Sequence, residues 1–401
     1  MRHTGPVRSR WIERTKQDLA NLSHKVGAAF ENKVKRMREQ HAQLPYHIDA
    51  YRGVVDGKGQ CRLAGRVLGR PQWASAVAED DWWDNLRNSY RRIDAESLPG
   101  VKVDVTFRGV TATATTDAEG YYEAELKLAA AKTGETALWE MAEVHRSEGG
   151  PSFLQSVMCV PRTAKFGLIS DIDDTIVHSN VSNWRAALGN VLLSNARTRK
   201  PLEGVGELYT AFQQGVDGSG PNPVFYVSAG AWNMYSLLVD FMEVNKIPAG
   251  PIQLRDIDLD RASLLNHAGP RSKLTKIQDI IHRFPALQWV LVGDSGQIDA
   301  ELYAQTVLKY PGRVLAVYIR DIDPAADSQR DRFVDTQFQQ IASAKVPMLR
   351  VGDGKQIAEH ARSLGLIAPE KVRDVAEGVT KDKVAPAPEV VAAPPATNSV
   401  G

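Results

Sequence analysis

Several acid- or hydroxyl-bearing strings in this sequence stand at the ends of apolar runs. Asp171-Ile172-Asp173-Asp174-Thr175 follows KFGLIS, Ser228 follows NPVFYV, and Gly293-Asp294-Ser295 follows LQWVLV. Phosphoryl transfer to a side chain needs an oxygen nucleophile, a proton donor for the leaving group, a cation for the phosphate charge and fixed donors around its oxygens. Alternation along an extended backbone puts Asp171 and Asp173 on one side, with Ile172 pointing away. Asp171 then suits nucleophilic attack, and Asp173 suits protonating the leaving oxygen and later activating water. Asp294 adds a carboxylate for a hard cation such as Mg²⁺, which takes a few oxygen ligands and keeps waters. Thr175 and Ser228 are phosphate hydrogen-bond donors, and Lys273 can neutralise the phosphate and the nucleophile.

Each piece alone has a plainer reading. DxDxT occurs at ordinary strand ends, GDS is a turn with a helix cap, Ser228 is a turn residue and Lys273 a surface lysine. Their combination, in order and each at an element boundary, is what points to catalysis.

The elements that must position these residues alternate. Strands are expected over 165–173, 222–230, 250–256, 287–295 and 314–322, and helices over 201–214, 233–245, 272–284 and 299–311. Such alternation implies a parallel sheet covered on both faces, with its site beyond the carboxyl ends of the strands. Residues 46–163 read instead as β-rich. The run 101–128 alternates, turns at Asp117–Gly120 and alternates again, which argues for a hairpin in a β-sandwich. Residues 60–69 and 151–160 supply further strands, and 80–93 interrupts them as a helix.

Residues 8–41 carry apolar positions at Ile12, Leu19, Leu22, Val26, Phe30, Val34 and Met37, the spacing of an amphipathic helix. Its thin stripe suits packing on the protein or on a second copy; its basic excess also suits anionic lipid. From about residue 369 the chain becomes charged, then rich in Pro, Ala and Val, and disorder is expected there.

The 401 residues carry a net charge of +1, so no global basic field supports nucleic-acid binding. The two cysteines, Cys61 and Cys159, make neither a disulfide framework nor a Cys-based metal site. No apolar stretch approaches a membrane span. A soluble cytoplasmic protein is expected, at most peripheral at a membrane.

The motif set resembles that of haloacid-dehalogenase superfamily phosphatases. Asp171, Asp173 and Thr175 match the first motif, Ser228 the second, Lys273 the third and Asp294 the fourth, with Asp299 as that motif's second acid. The resemblance implies a metal, Mg²⁺, held by the carboxylates of Asp171 and Asp294 and the main-chain carbonyl of Asp173. More narrowly, FGLISDIDDTIVHSN, YVSAGAWNMY, GPIQLRD, SKLTKIQDII and LVGDSGQIDAELYA resemble the actin-patch-associated phosphatidate phosphatase family. That likeness implies Mg²⁺-dependent hydrolysis of phosphatidate to diacylglycerol, with a phospholipid or membrane surface as partner. Ser-Ala-Gly-Ala-Trp stands where Ser-x-Ser-Pro-Trp is usual, and Ser272 where a His usually precedes the lysine. Lys276, one helical turn on, competes with Lys273 for the third motif. A soluble phosphomonoester, a phosphoprotein or a non-catalytic scaffold are the alternative readings.

The expected fold is α/β: a doubly wound parallel sheet of haloacid-dehalogenase type with a minimal cap, over 164–368. A β-rich, sandwich-like domain (46–163) and the amphipathic helix (1–45) precede it, and a disordered tail (369–401) follows. The segment from Val177 to Lys200 is the expected cap, with Trp184 and neighbouring leucines as an apolar rim.

Overall fold

The computed structural model describes residues 46–69, 96–129, 137–172, 202–218, 220–255, 268–296, 298–322 and 328–384. The expected helices at 8–41 and 80–93, the cap, and the last part of the expected tail lie outside the described residues.

The second half of the chain is built on a six-stranded sheet in the order β11-β10-β9-β12-β13-β14, parallel throughout. Its strands are β9 (Phe166–Asp171), β10 (Val224–Ala231), β11 (Ile252–Arg255), β12 (Gln288–Asp294), β13 (Val314–Arg320) and β14 (Met348–Val351). Every residue of β9 is buried, as expected of a central parallel strand covered on both faces. The helices are α1 (Val205–Gln214), α2 (Tyr235–Val244), α3 (Ala268–Arg283), α4 (Asp299–Lys309), α5 (Gln329–Gln340), α6 (Gly354–Ser363) and α7 (Lys371–Val384).

Side-chain alternation splits the core in two. Leu168, Val290, Val292, Ala316 and Tyr318 meet α1, α2, α6 and α7 on one face. Ile169, Phe225, Leu291, Val317 and Ile319 meet α3, α4 and α5 on the other.

The expected disorder from residue 369 is corrected at its start. Helix α7 covers 371–384, and its Val375 and Val379 are buried against the α1 face. Asp382 Oδ2 accepts from Gly204 N at 2.8 Å. Composition misled here: two valines four residues apart suffice to dock a helix whose other positions are charged.

The first half is one curled mixed sheet, not a two-sheet sandwich. Its strands are β1 (Tyr46–Ala50), β2 (Gly53–Val55), β3 (Gln60–Gly69), β4 (Lys102–Phe107), β5 (Val110–Thr115), β6 (Tyr121–Lys127), β7 (Trp139–Arg146) and β8 (Phe153–Cys159). The order is β1-β3-β2-β8-β7-β4-β5, with β6 on β3. Among the described strands of this half, only β2 and β8 pair in parallel.

The expected hairpin is also redrawn. The first run, 102–115, is itself a hairpin that turns at Arg108 (φ 50°) and Gly109 (φ 77°), the geometry a two-residue loop favours. The Asp117–Gly120 turn forms as expected: Gly120 has φ 80° and Asp117 Oδ1 accepts from Glu119 N and Tyr121 N. It leads, however, to β6, which pairs with β3 rather than back onto β5.

The two halves interlock. Tyr51, between β1 and β2, joins the core of the α1 face, and Val54 and Met158 join the other.

Candidate active site

The site forms where β9, β10 and β12 end, and it is assembled mainly by α3 and α4. Asp171 closes β9 and is fully buried. Strand alternation turns it to the face covered by α3 and α4. Asp294 closes β12, fully buried, and its Oδ1 accepts from Gly296 N at 2.6 Å. Asp299 opens α4, where a carboxylate complements the helix dipole. Asp299 Oδ2 accepts from Asp294 N at 3.3 Å, so the second acid of this string organises the turn that presents the first.

Gly293 is required by that packing. A Cβ there would lie 2.5 Å from Asp299 Oδ2 and 2.8 Å from the Tyr303 ring.

Lys273 joins the acids. It lies in the second turn of α3, not at the helix start expected from the sequence, because α3 begins at Ala268. Its side chain is buried, with Nζ 2.6 Å from Asp171 Oδ1 and in hydrogen-bonding contact with Asp299 Oδ1. Burial opposes its charge, but the carboxylates of Asp171 and Asp299 more than offset this and raise its pKa. Lys276 does not reach these acids in the same way. It lines a cleft of about 620 Å³ between the two halves of the chain, with Tyr51, Trp232, Leu254 and Asp279.

Carboxylate oxygens of Asp171, Asp294 and Asp299 lie within 4.8 Å of one another. Three buried carboxylates beside one ammonium leave an excess of negative charge in a region of low dielectric. An all-oxygen donor set of this kind fits a hard divalent cation, whose charge would balance it.

Ser228 is buried just past the last pair of β10 with β9, and its Oγ accepts from Gly230 N at 2.8 Å. Asp173 and Thr175 lie outside the described residues.

Two polar features near these strand ends escaped sequence reasoning. Ser170 Oγ and Tyr209 Oη are 2.6 Å apart beneath Asp171, and burial pushes the Tyr209 hydroxyl pKa up. The signal was a hydroxyl inside an otherwise apolar run. Arg320 ends β13 opposite Asp294, buried, with Nη2 3.8 Å from Glu203 Oε2. VLAVYIRD ends in charges as the other strands do, and could have been read the same way.

Residues 166–321 match the family model described as phosphatidate phosphatase APP1, catalytic domain. Phosphatidate phosphatase APP1 of Saccharomyces cerevisiae is 35% identical over 155 residues, 38% of this chain and 25% of that protein. An uncharacterised protein of Schizosaccharomyces pombe is 27% identical over 159 residues, 39% of this chain and 25% of its own length. The match thus spans about a quarter of each of these relatives. Among solved structures, a carbohydrate acetylesterase from Xanthomonas citri aligns over 80% of this chain and 75% of its own, at 13% identity and a TM-score of 0.31. That likeness is too slight to bear on the fold.

Proposed function

We propose that this chain, whose residues 166–321 form a catalytic segment of the phosphatidate phosphatase APP1 type, is a Mg²⁺-dependent phosphoric monoester hydrolase acting on phosphatidate. The observation that carries the reading is the buried contact of Lys273 with Asp171, beside Asp294 and Asp299.

Asp171 attacks phosphorus in line, and the bond from phosphorus to the leaving oxygen breaks. Asp173, two residues on along the same backbone, gives its proton to that oxygen and releases the alcohol. Water then attacks the phosphorus of the aspartyl-phosphate and passes a proton to Asp173. Inorganic phosphate leaves and Asp171 is restored. Lys273 stays charged through both steps and offsets the negative charge of the transferring group. Ser228 and Thr175 donate to its outer oxygens. Asp171 and Asp294, with the main chain at Asp173, would hold Mg²⁺, which supplies charge stabilisation at the phosphoryl oxygens. Asp299, engaged by Lys273 and by Asp294 N, positions both.

The lipid substrate is supported by the name of the yeast relative. No helix among the described residues is long and apolar enough to cross a membrane.

The test is phosphate release from phosphatidate in detergent micelles, with and without Mg²⁺, beside a soluble phosphomonoester. Mg²⁺-dependent release from the lipid, lost in Asp171→Asn, is the expected result. Release from the soluble ester alone would remove the lipid from the proposal. Substantial activity in Asp171→Asn would remove the nucleophile, and no release from either compound would favour a scaffold.

A further inference from the structure

Ser228 stands where the pairing of β10 is interrupted. The ladder of β10 with β9 ends at Val227, and its register with β11 shifts between Val227 and Ala231. The short loop that residues 228–230 make within β10 is therefore left to other contacts, with Ala231 paired again to Arg255 and Trp232 following it.

We propose that Tyr51, from the accessory sheet, is a positioning residue for this loop, so that the first half of the chain is a working part of the phosphate site. The proposal rests on Ser228 being a phosphate ligand, as argued above. Tyr51 is buried and its ring stacks on Trp232 at 5.2 Å and 9° between planes. The same ring meets Tyr235, at the start of α2, with centroids 4.1 Å apart. Neighbouring residues of this segment grip the same helix start. Arg52 N donates to Tyr235 Oη at 2.6 Å, and Ser236 Oγ donates to Asp49 Oδ2 at 2.9 Å.

Tyr51 is in turn fixed from behind. Its N–H donates to Ala64 O on β3 at 2.9 Å. Gln155 on β8, fully buried, donates through Nε2 to Tyr51 O at 2.7 Å and to Ala64 O at 2.9 Å. A buried amide spent on two main-chain carbonyls leaves the Tyr51 backbone one position. The line of contact runs from β3 and β8 through Gln155 and Tyr51 to Trp232, four residues past Ser228. The ring of Tyr51 makes these loop contacts, so phenylalanine should replace it and an aliphatic residue should not.

The test uses the full chain with Tyr51→Phe, Tyr51→Leu, Ser228→Ala and the combined Tyr51→Leu/Ser228→Ala. Amide hydrogen exchange is followed across 228–234, with Gly230 N–H, bonded to Ser228 Oγ, as the reporter. kcat and KM are measured on p-nitrophenyl phosphate. Tyr51→Leu is expected to speed exchange across 228–234 while leaving 299–309 unchanged. It should lower kcat by roughly ten- to a hundredfold, the scale of a small misplacement of a catalytic group. In the combined variant the losses should not multiply, because both act through one loop. Tyr51→Phe should behave as the unaltered chain. Unchanged exchange at 228–234, losses that multiply, or loss of protection extending to 299–309 would overturn the proposal. Exchange reads the loop even if the unaltered chain leaves the ester intact, an outcome that would count against the proposed activity alone.

Discussion

Lys273 Nζ lies 2.6 Å from Asp171 Oδ1, and the same ammonium touches Asp299 Oδ1. One cation thus ties the end of the central strand to the first turn of α4, and it does so without exposure to solvent. Its folded pKa is raised, so the stability it contributes is present throughout the physiological range and is lost only as pH rises beyond its ordinary value.

Removing that cation should be costly in two ways. Lys273→Met leaves Asp171, Asp294 and Asp299 buried around an apolar side chain. Breaking a buried pair by deleting one partner costs about 3–5 kcal/mol. A urea titration should show a fall of that order, smaller with Mg²⁺ present, and turnover should be lost. A stability unchanged by Lys273→Met would mean that the acids do not depend on the lysine for their charge balance.

Gly293→Ala tests the geometry rather than the charge. The new methyl group would meet Asp299 Oδ2 at 2.5 Å and Tyr303 at 2.8 Å, and overpacking of this kind costs about 1–3 kcal/mol. Because Asp299 must shift, activity should fall by more than the loss of stability accounts for. Equal kcat in Gly293→Ala and the unaltered chain, measured well below the melting temperature, would remove Asp299 from the site's support.

The cysteines give a pH-dependent readout. Burial pushes the thiols of Cys61 and Cys159 up to about 12. Both should resist a thiolate-specific reagent at pH 8 in the folded protein and react once it is unfolded in urea, where a free thiol titrates near 8.5. Their contribution to stability is present below that unfolded value and declines as pH rises toward 12. Rapid labelling of either thiol in the folded state would contradict the burial.

Ending the chain at residue 370 should destabilise it measurably, because it strips Val375 and Val379 from the core and the Asp382 contact from Gly204. Two buried valines removed from a core are each worth about 1.5–3 kcal/mol. A truncated chain with an unshifted melting temperature would show that α7 adds nothing to the α1 face.

The second half was largely legible because its strands are continuous apolar runs with acids at their ends, as in LQWVLVGDS. Those ends mark both the sheet and its working edge. The lysine was legible as a residue but not as a position: nothing in SKLTKIQDII says whether Lys273 or Lys276 faces inward, since one helical turn separates them, and the packing of α3 decides. The first half was less legible. An alternating run is compatible with any partner, so β6 could be expected to return to β5 when it pairs with β3 instead. The Arg108–Gly109 turn was overlooked because arginine seldom adopts positive φ. Tyr51 gave no signal at all, since its partners Trp232 and Tyr235 lie far along the chain.

The place of β9 at the middle of its sheet has a consequence for synthesis on the ribosome. Strand β9 is the first strand of its sheet to emerge, and its neighbour β12 and the helices bearing Lys273 and Asp299 come about a hundred or more residues later. A nascent chain therefore carries Asp171 for an interval with neither the Lys273 counter-charge nor a flanking strand on that side. The phosphate chemistry proposed for this protein would switch on only once residues beyond 299 have left the exit tunnel and folded.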